Sequence, residues 1–163
     1  MAFEAQLEYS PQLVRRAVLA YWKRTIGIIL PIVTVIVLAD FAFLLVRGDR
    51  SWVIGAESVV LLLVLLFGAA AYFVHYRNGL AKLRQMKVPT ARFVADEDTF
   101  TFESEIGSST FGWRSIKEAW CYPGFWLLLF SRAQFATIPL DSMSTEMQRY
   151  ALDRIRSAGG KIS

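Results

Sequence analysis

The chain has 163 residues, 55% of them hydrophobic, and carries a formal net charge of +4 at neutral pH. That apolar share exceeds the ~45–50% of an ordinary soluble domain, and the length suits about one compact module beside a separate apolar segment. Cys121 is the only cysteine, which excludes an intrachain disulfide and a multi-cysteine metal site.

At the start of the chain, Phe3, Ala5, Leu7 and Tyr9 alternate with Glu4, Gln6 and Glu8. A period of two predicts a half-buried strand over Phe3–Tyr9. A lone strand cannot satisfy its own hydrogen bonds, so it is expected to join a sheet formed by the C-terminal half. Ser10-Pro11 then starts a helix, with Ser at the cap and Pro at the first helical position. This helix is predicted to run from Gln12 to Arg24 and on into the next segment.

Two apolar runs follow, Ile26–Val46 and Val53–Val74. Each is close to the ~20 residues a helix needs to cross a hydrocarbon core of roughly 30 Å. Neither has the polar stripe of a helix lying on a soluble core. The first run starts too late and is too long for a cleaved signal sequence, and no small-residue cleavage site follows it. Pro31 predicts a mild bend and no more. Arg15, Arg16, Lys23 and Arg24 precede the first run, and Arg77, Lys82, Arg84 and Lys87 follow the second. Only Arg47 and Arg50 lie between the runs. Basic residues collect on the cytoplasmic side of membranes, which predicts a transmembrane hairpin with both termini cytoplasmic, in a bacterial inner membrane. Tyr21, Trp22, Trp52, Tyr72 and Tyr76 suit interfacial positions.

From residue 90 to the end, eight bases stand against nine acids. The positive surplus therefore sits in the collar beside the apolar runs, where each base can gain about 1 kcal/mol from anionic lipid. A near-neutral soluble half argues against nucleic acid as a partner.

The helix after the second run is expected to stop before Pro89, because the residue preceding a proline is biased out of the helical region. Beyond it the sequence predicts short strands at Thr90–Ala95, Thr99–Glu103, Thr110–Trp113, Ile116–Tyr122, Phe125–Phe130 and Gln134–Ile138. Turns at Asp96-Glu97-Asp98, Gly107-Ser108-Ser109 and Pro123-Gly124 divide them. Ser144–Ala158 has helical periodicity through Met147, Tyr150, Ala151 and Ile155, and Gly159-Gly160 ends it. Cys121, between Trp120 and Tyr122, is expected to be a buried packing residue. The predicted fold class is membrane α+β: a two-helix transmembrane hairpin plus a pleckstrin-homology-like antiparallel barrel or sheet, closed by a C-terminal helix. The predicted division is 1–25 for the strand and juxtamembrane helix, 26–88 for the hairpin and its extension, and 89–163 for the cytoplasmic domain.

The stretch Phe111–Ser144 resembles the C-terminal domain of the YcxB-like family of bacterial membrane proteins, through Trp113, Ile116, Lys117, Ile138 and Pro139. The upstream runs and first strand suit the same family, so the resemblance extends to the whole chain. It implies the location and fold just described. It brings no catalytic residue, metal or cofactor.

A pleckstrin-homology-like domain that holds phosphoinositides needs a basic loop between its first strands. Taking that loop as Asp96-Glu97-Asp98, anionic headgroups are disfavoured there and protein contact is favoured. Asp40 and Glu57 are the sharpest local feature, since intramembrane acids are costly and face partners or cavities. Asp40 precedes Arg47 by about 10 Å along a helix and Glu57 follows Trp52 by roughly 7–8 Å. An antiparallel hairpin therefore puts both at similar depth. The plainer expectation is pairing with Arg47 or Arg50; the functional one is a shared proton, a cation contact or a contact with another subunit. The soluble half has no His–carboxylate pair, phosphate loop, nucleophile elbow or metal cluster, so no enzyme and no small-molecule substrate is expected. Two functions remain: a non-enzymatic module that presents its domain to a protein partner or regulates a membrane complex, and a subunit of a small oligomeric transporter or channel.

Overall fold

The computed structural model describes residues 3–27, 29–48, 50–131 and 134–163, except for the side chains of residues 26, 29, 71, 75 and 82. Its elements in chain order are β1 (Phe3–Glu8), α1 (Pro11–Ile26), α2 (Ile29–Val46), α3 (Trp52–Gln85), β2 (Thr90–Ala95), β3 (Thr99–Ser104) and β4 (Gly107–Gly112). A 3-10 turn at Trp113–Ser115 leads to β5 (Glu118–Tyr122), β6 (Phe125–Leu129), β7 (Phe135–Pro139), α4 (Thr145–Ser157) and β8 (Lys161–Ile162). The class is mixed α+β. The chain divides into two units, residues 1–17 with 78–163, and residues 18–77.

The first unit is built on two four-stranded sheets, ordered β1-β2-β3-β4 and β7-β6-β5-β8. β1 pairs antiparallel with β2 along its whole length, from Phe3 opposite Ala95 to Glu8 opposite Thr90. The N-terminal strand therefore joins the C-terminal sheet. The alternation read from the sequence supplies the reason: Ala5 and Leu7 are buried while Glu4, Gln6 and Glu8 stay in solvent. One core takes side chains from both sheets and from α4, including Leu7, Phe93, Phe100, Trp113, Ile116, Leu128, Ile138, Met147 and Ile155.

Of the antiparallel barrel or sheet expected from the strand spacing, mainly antiparallel sheets form and no closed barrel does. The sheets are separate and unclosed, and β8 runs parallel to β5, with Glu118 opposite Lys161 and Ala119 opposite Ile162. Gly159 allows this last strand by adopting φ +90. The chain then turns against α4 so tightly that a Cβ on Gly160 would stand 2.7 Å from Ile155 Cγ2. Two residues carry no readable periodicity, which is why β8 is invisible in the sequence. A second correction concerns the acidic turn. Because β1 is the first strand, Asp96-Glu97-Asp98 joins the second and third strands, and the connection between the first two is the entire helical segment.

In α4, Ser144 caps the helix by accepting the Met147 N–H at 3.1 Å, and Met147, Ala151 and Ile155 turn inward at helical spacing. The other end of the unit includes the first turns of α1 and the last of α3, which approach closely: a Cβ on Gly79 would stand 2.9 Å from Val14 Cγ1.

The helix beginning at Pro11 does not run on into the first apolar run. The axis turns by 72° between α1 and α2, and the break lies at Gly27, not at Pro31. Gly27 adopts φ +66 and donates its N–H to Lys23 O at 3.2 Å, ending α1 in the left-handed conformation that glycine takes without strain. Pro31 falls in the first turn of α2, where a missing N–H costs nothing. The hydroxyls of Thr34 and Ser58 donate to the carbonyls of Leu30 and Ile54, each at 2.8 Å, so neither is left unpaired on an apolar helix. By length and composition α3 suffices to cross a membrane, and the bent pair α1 and α2 makes a second candidate if it counts as one span.

Candidate functional site

Across α2 and α3, the side chains of Asp40 and Glu57 lie near enough to interact. Glu57 Oε2 is buried and has no partner. Arg47 lies over the Phe43 ring, 4.3 Å from its centroid. Among the described residues, no ion pair joins Asp40 or Glu57 to Arg47 or Arg50. The two acids meet because the hairpin is antiparallel, and sequence depth alone places them level.

The residues of the basic collar divide between the two units. Arg15, Arg16, Arg84 and Lys87 fall in the first unit, and Lys23, Arg24 and Arg77 in the second. All seven are exposed, while the Lys82 side chain lies outside the described residues. Arg16 is engaged: its Nη2 donates to Pro123 O at 3.0 Å, and its guanidinium lies 5.3 Å from the Phe125 ring centroid. The Lys87 backbone N–H donates to Glu105 Oε2 at 2.8 Å, tying the chain after α3 to the β3–β4 turn.

Arg16 marks a second buried face. Along β6, Trp126 and Leu128 enter the core, while Phe125, Leu127 and Leu129 point the other way and are buried as well. Tyr9, which packs against the core, donates its hydroxyl to Thr137 O at 3.0 Å, and burial pushes its phenol well above the ordinary range. Arg16 thus lies over the Phe125 end of this second face. The available signal was the run Phe125–Phe130, too uniformly apolar for a strand with one face in water.

The residues that carry the family resemblance are structural. Trp113 packs on Phe100 at 4.8 Å and donates Nε1 to Asp96 O at 3.0 Å, which pins the acidic turn. Ile116 and Ile138 are core residues, the Lys117 backbone bridges Leu129 and Lys161, and Pro139 pairs with Phe125. Cys121, expected in the core, is exposed at the far end of β5, and partial burial still pushes its thiol up, away from the thiolate. Among the described residues no group of three or more His, Cys, Asp or Glu side chains is placed to hold a metal ion.

A family model described as YcxB-like protein matches residues 95–151. The match begins at the last residue of β2 and ends within α4, so it takes in the whole of the stretch that carried the resemblance and leaves β1 and the helices α1, α2 and α3 outside. No curated protein and no solved structure matches the chain.

Proposed function

Taking as premise a chain that carries a YcxB-like segment, we propose that it is a non-enzymatic integral membrane protein of the bacterial inner membrane. It presents a pleckstrin-homology-like domain to a protein partner, or regulates a membrane complex through it. The observation that carries the membrane part is the outward face of α2 and α3. Among the described residues, nine large apolar side chains on α2 and ten on α3 are exposed, Leu65 at 66% and Phe67 at 79% among them. At about 1 kcal/mol for each half-exposed side chain, holding them in water costs on the order of 20 kcal/mol, more than a domain's whole stability. A hydrocarbon phase removes that cost.

The domain part is supported by strand order. A four-stranded meander, a three-stranded meander and a closing helix follow one another, as in the pleckstrin-homology plan. On this reading the membrane hairpin is an insertion between the first two strands. Both ends of the insertion then lie on one side of the bilayer, and the bias of Arg and Lys toward those ends makes that side cytoplasmic. The resemblance residues are occupied in the core, which leaves protein contact as the simplest use of the domain's surface.

Membrane fractionation with an alkaline carbonate wash, combined with reporters fused to the C-terminus, tests this reading. The chain should stay in the pellet and the reporter should report cytosol. A carbonate-soluble chain, or an extracytoplasmic C-terminus, overturns it.

The Asp40–Glu57 contact favours one other reading, a subunit of a small oligomeric transporter or channel in which the pair handles a proton or cation. Proteoliposomes holding the Asp40→Asn, Glu57→Gln double variant separate the two. Flux present in the parent and lost in the variant supports transport; absence of flux in the parent removes it.

A further inference from the structure

The two sheets have four edges, and three of them are blunted. β1 carries Glu4 and Glu8 on its solvent side, β7 ends in Pro139, and β8 has only two residues. Charges, prolines and short strands are the usual ways in which an edge is kept from pairing with another chain. β4 has none of them. Gly107-Ser108-Ser109-Thr110-Phe111-Gly112 holds no charge and no proline, and pairs with β3 in unbroken register from Ser104–Gly107 to Thr99–Gly112. Among the described residues no strand lies on its other side.

The direction of its free groups can be read from the ladder. Trp113 donates its N–H to Asp98 O, and hydrogen-bonded pairs alternate along an antiparallel ladder. Residues 107, 109 and 111 therefore direct their backbone groups to β3, and Ser108, Thr110 and Gly112 direct theirs to the open edge. The Gly112 carbonyl already accepts the Ser115 hydroxyl at 2.7 Å. Both groups of Ser108, both groups of Thr110 and the Gly112 N–H remain to face a neighbour.

We propose that this edge pairs with the same edge of a second copy, antiparallel about a two-fold axis through Thr110. In that register Thr110 meets Thr110 of the second copy, Ser108 meets Gly112, and Ser109 meets Phe111. All the outward-facing groups then stand opposite one another. Thr110 already shares a hydroxyl bond with Thr101 at 2.8 Å, so the pairing extends one row of threonines across four strands, a favoured cross-strand arrangement. On the inner side the small Ser109 leaves room for the facing Phe111, a ring still half-buried within one copy. The neutral edge places no like charges against each other. A ladder this short is weak in free solution, and anchoring both copies in one membrane raises their effective concentration. The inference thus deepens the interaction reading above by naming its surface and its partner.

The test uses the full chain in membranes, in a Cys121→Ser background, with a short bismaleimide crosslinker. In the proposed pairing Thr110 lies one strand spacing from its counterpart, about 5 Å, whereas Thr101 lies three spacings from its own, about 15 Å. Thr110→Cys is expected to give dimer at least about fivefold in excess of Thr101→Cys and of Glu8→Cys on the opposite edge. Adding Ser108→Lys to the Thr110→Cys chain places a charge on the edge and is expected to lower dimer yield about tenfold. Equal dimer yield at all three positions, or none at Thr110, overturns the pairing, as does a Thr110→Cys product with the mass of a different protein. Fractionation reports separately on membrane insertion, so failure of the pairing and failure of the membrane reading give different results.

Discussion

Glu4 on β1 and Arg92 on β2 hold each other through both ends of their charged groups, with Arg92 Nη2 donating to Glu4 Oε2 at 2.7 Å and Nε donating to Oε1. Arg92 Nη1 also reaches Glu103 Oε2 on β3 at 3.3 Å, so one guanidinium links three strands. It ties the start of the chain to a sheet whose next strand begins more than eighty residues later.

That grip makes attachment of β1 pH-dependent. The hydrogen bond and charge of Arg92 hold the Glu4 carboxyl below its ordinary value of 4.5. A carboxyl with a depressed folded value contributes stability that is fully present above its unfolded value and is lost as pH falls through its folded value. Proteolysis of the N-terminal segment is therefore expected to be unchanged from neutral pH to about 5 and to quicken at lower pH. Glu4→Gln should remove the part of that dependence below pH 4.5 that the parent shows.

Leu7 is fully buried between the sheets. Leu7→Ala is expected to destabilise the first unit by about 2–5 kcal/mol, read as a lower midpoint in limited proteolysis across a denaturant series. Glu8→Ala on the solvent side of the same strand should stay within about 0.5 kcal/mol. Deleting residues 2–9 should have the larger effect of the two kinds of change, because it also uncovers the edge of β2.

Gly160 is confined by Ile155 and by the Ile116 carbonyl, which would lie 2.7 Å and 3.0 Å from a Cβ. Backbone on one side prevents relief by a rotamer change alone. Gly160→Ala is expected to cost about 1–3 kcal/mol through overpacking, while Gly124→Ala, with open space but φ +84, tests strain in isolation. Thermal melts of the two variants separate the causes.

The meeting of Asp40 and Glu57 predicts an intrachain link. With Cys121→Ser, the pair Asp40→Cys and Glu57→Cys should form a disulfide within one chain, seen as a mobility shift without a dimer band. Moving one partner to Val46 should abolish it, because six residues along a helix are about 9 Å. A crosslink that forms only between chains sinks the hairpin contact.

Local patterns in the sequence determined much of this protein. Alternation marked β1, β2 and β3, turn dipeptides separated the later strands, and the cap at Ser144 with inward Met147, Ala151 and Ile155 marked α4. These signals survive because each depends on neighbours within a few residues: a pleat repeats every two, a helix every three or four. Two long apolar runs were equally plain. Tertiary structure decided what depends on distant partners. It opened the barrel into two sheets, made β8 a parallel edge, placed the break at Gly27 instead of Pro31, and left Cys121 in solvent. It set Arg16 over Phe125 and Asp40 against Glu57, and it chose β2 as the neighbour of a first strand already expected to join the later sheet. Each of these outcomes balances burial and hydrogen bonding between groups far apart in the chain, and no local window of residues contains both halves of that balance.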